Sequence, residues 1–158
     1  MDNDMMEICR NRHNIGLNTK DEQDIQILFD NYECKEGTFI YYLHEDALFN
    51  VQAFWDYYNS ITSVIKRGIG NKLDENITVA VVFTYKHIVE SFLWHSTPND
   101  GYVIKGYPSD KMSLYMERLH FLIDGYFKGY VLDEDSFDDD LVNPGSKFDK
   151  VSKYEEKD

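Results

Sequence analysis

The positions Val51, Phe54, Trp55, Tyr58, Ile61, Thr62 and Ile65 advance in steps of three and four, the period of one helix face. Asn50 before them is a good N-cap and Gly68 after them a helix breaker, so a helix over 51–66 is predicted. Ile25, Leu28, Phe29 and Tyr32 follow Thr19-Lys20-Asp21-Glu22, which has the spacing of a capping box and an acidic first turn. They predict a helix over 20–32. Gly37 and Thr38 reset the chain, and Phe39, Ile40, Leu43 and Ala47 predict a short helix over 38–46. Met112, Tyr115, Met116, Leu119, Leu122, Ile123, Tyr126 and Phe127 line one face of a helix over 109–128. Pro108 or Ser109 stands near its start and Gly129 in the C′ place.

Ile77 to Tyr85 reads two ways. Its β-branched residues favour a strand. Yet no turn residue parts it from Lys86–His95, and Ile77, Val81, Tyr85, Ile88, Phe92 and His95 keep a helical period. One helix over 76–95 is the favoured reading, with a short strand over 77–85 as the alternative. At the ends, Met5, Met6, Ile8 and Cys9 suggest a short anchoring element, and Asn143-Pro144-Gly145 breaks the chain. The polar residues 146–158 are expected to form a mobile tail. Nine glycines and three prolines in 158 residues are too few for many short strands and turns. The expected fold is mainly α, a single-domain bundle of four to five helices over residues 1–145.

Composition changes the picture in two respects. Hydrophobic residues at 42% and aromatics at 15% supply a core and exclude a disordered chain. A formal charge of −13, from 16 Lys+Arg against 29 Asp+Glu, opposes direct binding to nucleic acid or to anionic membranes. Met1-Asp2-Asn3-Asp4 is acidic where a secretory signal is basic. The longest apolar run, Ile77 to Tyr85, falls short of the roughly 20 residues of a membrane span. Cys9 and Cys34 make no disulfide framework. A soluble, cytoplasmic setting with reduced thiols is expected.

No catalytic or metal motif is complete. His44-Glu45-Asp46 lacks the second histidine of a zincin. Glu117-Arg118-Leu119-His120 has the Glu-x-x-His spacing of di-metal bundles but occurs once, and reads as a solvated helix face with local ion pairs. Asp133–Asp138 begins like a calcium loop, but Phe137, Asp138 and Pro144 stand where a ligand, glycine and glutamate are needed. Gly68-Ile69-Gly70-Asn71-Lys72 is not a phosphate loop, because no strand leads into it and no Ser or Thr follows the lysine. No Gly-x-Ser-x-Gly elbow is present. The reading is of a non-enzyme without cofactor or metal.

Trp55, Trp94 and most phenylalanines fall on predicted apolar faces and are assigned to the core. The 12 tyrosines are too many for that role alone. Tyrosine is enriched where proteins meet proteins. The acids fall in two blocks: residues 19–58 hold nine against two bases, and 133–140 hold six against none. The run Asp133, Glu134, Asp135, Asp138, Asp139 and Asp140, tethered by Phe137 and Leu141, is the first expectation for contact with a basic partner. Glu33, Glu36, Glu45 and Asp46, with Tyr41 and Tyr42, are the second.

Three stretches carry a family resemblance: Gly37-Thr38-Phe39-Ile40-Tyr41-Tyr42-Leu43-His44-Glu45-Asp46-Ala47-Leu48-Phe49 running on to Phe54-Trp55-Asp56-Tyr57-Tyr58; Leu93-Trp94-His95-Ser96-Thr97-Pro98-Asn99-Asp100-Gly101-Tyr102; and Phe137-Asp138-Asp139-Asp140-Leu141-Val142-Asn143-Pro144. In order and spacing the region from 30 to 144 resembles immunity proteins of bacterial polymorphic-toxin and contact-dependent growth inhibition systems. The resemblance implies a non-enzymatic, cytoplasmic inhibitor of a cognate toxin domain, often a nuclease. A helical adaptor presenting an acidic surface, with no toxin involved, is the alternative.

Overall fold

The computed structural model describes residues 19–68 and 73–146. The anchoring element around Met5 and Cys9, most of the Gly68–Lys72 turn and the tail from 147 lie outside the described residues. Among the described residues are five α-helices: α1 (Thr19–Tyr32), α2 (Phe39–His44), α3 (Val51–Lys66), α4 (Glu75–Ser96) and α5 (Met112–Lys128). A single 3₁₀ turn, Glu134–Ser136, follows. Among these residues there is no strand, only an isolated parallel bridge between Leu48 and Lys105. The fold is a small all-α bundle.

Side-chain caps set three of the helix starts. Thr38 accepts from the Tyr41 N–H at 3.3 Å, Asn50 from Ala53 at 3.0 Å and Asp74 from Ile77 at 3.0 Å. The Asp74 cap resolves the two readings of 77–85, because it starts a helix ahead of the β-branched run. Within α4, Ile77, Ala80, Val81, Thr84, Ile88, Ser91 and Phe92 are buried at three- and four-residue steps. Helix α5 starts later than its sequence pattern suggests. Pro108 accepts from the Lys111 N–H at 2.9 Å in a turn, and the helix begins at Met112 without a side-chain cap. Gly129 ends it at φ +75, its N–H on the Gly125 carbonyl.

Helix α3 is the centre of the core, with Phe54, Trp55, Tyr57, Tyr58 and Ile61 all buried. Helix α1 packs on α3 and α4, and α5 packs on α3. Tyr115 of α5 meets Phe49 and Phe54 edge-on at 5.0 and 4.9 Å. The Tyr57 hydroxyl donates to the Val81 carbonyl at 3.1 Å and joins α3 to α4. Arg67, just past α3, pairs with Asp21 at 2.7 Å and with Asp24, joining α3 to α1. Helix α4 is long and apolar enough to cross a membrane by length and composition. In this fold it is a bundle helix, packed on α1 and α2.

The loop after α4 is tied back to the bundle. His95 accepts from the Ile104 N–H at 3.1 Å, and Tyr102 donates to the Leu43 carbonyl. Trp94, assigned to the core from its sequence position, is 39% exposed and lies edge-on to Tyr102. The core placement fails because Ile88, Ser91 and Phe92 already fill the inward stripe of α4, which turns Leu93 and Trp94 outward.

Candidate functional site

Residues 133–140 are partly consumed by the fold itself. Phe137 and Leu141 are buried and pin the segment to the bundle. Arg118 of α5 is fully buried, which overturns its placement on a solvated helix face, whereas Glu117 and His120 of the same motif are exposed. Its guanidinium donates to Glu134 at 2.7 Å and to both oxygens of Asp139 at 3.0 and 3.3 Å. A bidentate Arg–carboxylate fork of this kind fixes geometry as well as adding attraction. The same guanidinium lies 3.5 Å from the Phe137 ring centre and 6.0 Å from that of Trp55. Desolvation works against the Arg118 charge, but Asp139 and Glu134 outweigh it and hold its pKa above the ordinary value.

The second oxygen of Glu134 accepts from Asn143 at 3.0 Å. Asn143 and Asn59 exchange amide hydrogen bonds of 2.9 and 2.8 Å across the chain. Burial pushes the neighbouring Tyr58 hydroxyl up to about 12, Glu134 adding to the effect and Arg118 opposing it. Glu134 and Asp139 therefore face inward and are withdrawn from any partner-facing set. Asp133, Asp135, Asp138 and Asp140 remain exposed, Asp140 pairing with Lys111 at 2.8 Å. Arg118 and Lys111 thus return two positive charges to this run.

The other acidic group gathers at the corner where α1 ends and α2 ends. Helix α1 closes in a left-handed cap: the Cys34 N–H bonds Asn31 at 3.0 Å, the Lys35 N–H bonds Asp30 at 2.9 Å, and Cys34 sits at φ +54. Asn31, buried, accepts from the Ile40 N–H at 3.3 Å and holds the start of α2 against α1. Thr38 adds an Oγ1 bond to the Lys35 carbonyl at 2.7 Å. Six residues of connection are thereby fixed at both ends.

On this frame Glu33, Glu36, Glu45 and Asp46 are exposed, and Tyr41 and Tyr42 are half-buried with their rings edge-on at 6.3 Å. Partial desolvation, then the charges of Glu36, Asp46 and Glu45, raise the Tyr41 hydroxyl. The three carboxylates thus share one corner with that ring. Lys35 partly offsets them, bridging Asp30 at 2.6 Å and Glu33 at 2.8 Å. Cys34, half-buried there, is a free cysteine whose thiol is pushed up by burial and then by Glu45. Sequence spacing placed Tyr41, Tyr42, Glu45 and Asp46 together but did not connect them to Cys34.

Two cavities among the described residues, one lined by Val64, Ile77 and Tyr126 and one by Tyr58, Phe121 and Phe137, admit about 10 Å³ each. That is room for a single water, not a substrate. Compared with family models, curated proteins and solved structures, the chain matches none.

Proposed function

We propose that this chain is a non-enzymatic immunity protein that binds and neutralises a cognate toxin domain, a basic one by charge complementarity and, as the resemblance implies, a nuclease. The observation that carries this reading is the α1–α2 corner, where the exposed Glu36, Glu45 and Asp46 act on the half-exposed Tyr41, Tyr42 lies edge-on to that ring, and Glu33 is exposed on the connection. The rings are rigid, with few rotatable bonds to freeze on contact, and the carboxylates suit a phosphate-binding groove. Such complementarity mainly accelerates encounter, to ~10⁸–10⁹ M⁻¹s⁻¹ at low salt, which suits an inhibitor of a lethal domain. The resemblance of the three sequence stretches points the same way.

Because Glu134 and Asp139 are bound to Arg118, the reading shifts the contact from the 133–140 run to this corner. Asp133, Asp135 and Asp138, exposed on the 133–140 segment, are the secondary candidates for contact with a basic partner. The test is co-expression with the product of the adjacent open reading frame. The reading expects cells to survive that product only when this chain is present, and expects the two to copurify. Survival unaffected by the chain would contradict it. Capture of a basic partner without protection would instead favour the acidic adaptor.

A further inference from the structure

We propose that Cys34, His44 and Glu45 together form a zinc-binding site at the corner between α1 and α2. One ligand atom from each, the Cys34 sulfur, a His44 ring nitrogen and a Glu45 carboxylate oxygen, lie within 4.8 Å of one another. His44 Nδ1 and Glu45 Oε1 are already 3.0 Å apart. Tetrahedral zinc with ordinary Zn–S, Zn–N and Zn–O bonds needs donors roughly 3.3–3.6 Å apart. The widest pair must therefore close by at most about 1.5 Å, which side-chain rotation supplies because His44 and Glu45 are both more than half exposed.

The backbone that carries the donors is already fixed. Cys34 occupies the left-handed cap of α1, and His44 is the last residue of α2. The Glu45 N–H bonds the Tyr41 carbonyl at 2.8 Å as the cap of that helix. Asn31 and Thr38 hold the two helices in register. The negative ends of both helix dipoles thus converge on the donors, and Glu36 and Asp46 add charge beside Tyr41. These charges favour a cation there, and Lys35, held by Asp30 and Glu33, offsets them only in part.

The donor types choose which cation. Calcium and magnesium take oxygen ligands, whereas a thiolate with an imidazole and one carboxylate suits zinc. Three protein donors leave a fourth position for water or for a partner's side chain. The sequence scan missed the set because His44 and Glu45 follow Cys34 by ten and eleven positions, a spacing set by the cap and the turn and belonging to no short zinc motif.

The inference is independent of the toxin reading, since it is tested on this chain alone. Full-length protein carrying Cys9→Ser, so that Cys34 is its one thiol, is titrated with cobalt and then with zinc. The expected result is a single cobalt equivalent with a sulfur-to-metal charge-transfer band, displaced by zinc. Cys34→Gly, which suits the positive φ and keeps the fold, should abolish the band. His44→Ala and Glu45→Gln should each weaken binding at least about tenfold, with helical circular dichroism unchanged in all variants. Absence of the band in the parent, its survival in Cys34→Gly, or unaltered affinity in His44→Ala and Glu45→Gln would each overturn the site.

Discussion

Arg118 sits over the face of Phe137, its guanidinium carbon 3.5 Å from the ring centre, and both side chains are buried. The arrangement joins α5 to the segment that follows it. The cation meets the ring face while its hydrogens reach Glu134 and Asp139. A desolvated cation–π contact contributes on the order of 2 kcal/mol, and the ion pairs offset the cost of burying the charge.

Removing one partner from this group should therefore be severe. Arg118→Ala leaves Glu134 and Asp139 charged and nearly buried, with side chains 11% and 3% exposed. The expected loss is about 3–5 kcal/mol in chemical denaturation. The triple variant Arg118→Met, Glu134→Gln, Asp139→Asn, which removes all three charges together, should recover most of it. A loss below about 1 kcal/mol in Arg118→Ala would contradict the placement of Arg118.

Alkaline pH should unfold the protein through its tyrosines. Burial raises the hydroxyls of Tyr57, Tyr58, Tyr115 and Tyr126, Tyr58 to about 12 against an ordinary 10. The unfolded chain loses these protons first. Stability is thus unaffected by these groups below pH 10 and falls as pH rises, by about 1.4 kcal/mol per pH unit for Tyr58 alone up to about 12. The part of the tyrosinate absorbance that comes from these four buried rings should then appear together with the loss of helical circular dichroism, in one cooperative step. Titration of all 12 tyrosines, these four included, near pH 10 with the helices intact would contradict the burial.

Gly125→Ala tests the close of α5. Alanine is the better helix former by about 1 kcal/mol. A Cβ at this position, however, would run into the backbone carbonyl of Tyr130, whose N–H bonds back to Gly125 at 3.1 Å. Steric strain of about 1–3 kcal/mol should win, so that the variant melts at a lower temperature. A rise in melting temperature would show that the turn yields.

The helices were legible wherever one face alternates cleanly. Val51 to Ile65 reads correctly because, Ser60 apart, its inward positions are apolar or aromatic, and Asn50 caps the start, although Val51 itself turns outward. Ile77–Tyr85 is ambiguous in sequence because Val79 and Phe83 make the outer face apolar as well, and the Asp74 cap adds to the helical period that runs on past Tyr85. The role of Arg118 was readable in part. It stands three residues after Tyr115 and four before Leu122, on the buried stripe, with an acidic segment downstream to neutralise it. The density of charge at 133–140 hid this, since sequence alone does not say which carboxylates face inward. The Cys34–His44–Glu45 corner was not legible, because its donors meet only through the fold of the α1–α2 connection.

The proposed contact surface is tested most directly by association kinetics with the product of the adjacent reading frame, measured across ionic strength. Glu36→Lys with Asp46→Lys reverses two exposed charges beside Tyr41 and leaves the Arg118 group and the three metal donors intact. The account predicts that the parent's association rate falls steeply with salt and that the double variant associates at least about tenfold more slowly at low salt, or about 1.4 kcal/mol of encounter free energy. Its circular dichroism should be unchanged. Association that is insensitive to salt and equally fast in the double variant would contradict the acidic α1–α2 corner as the partner-facing surface.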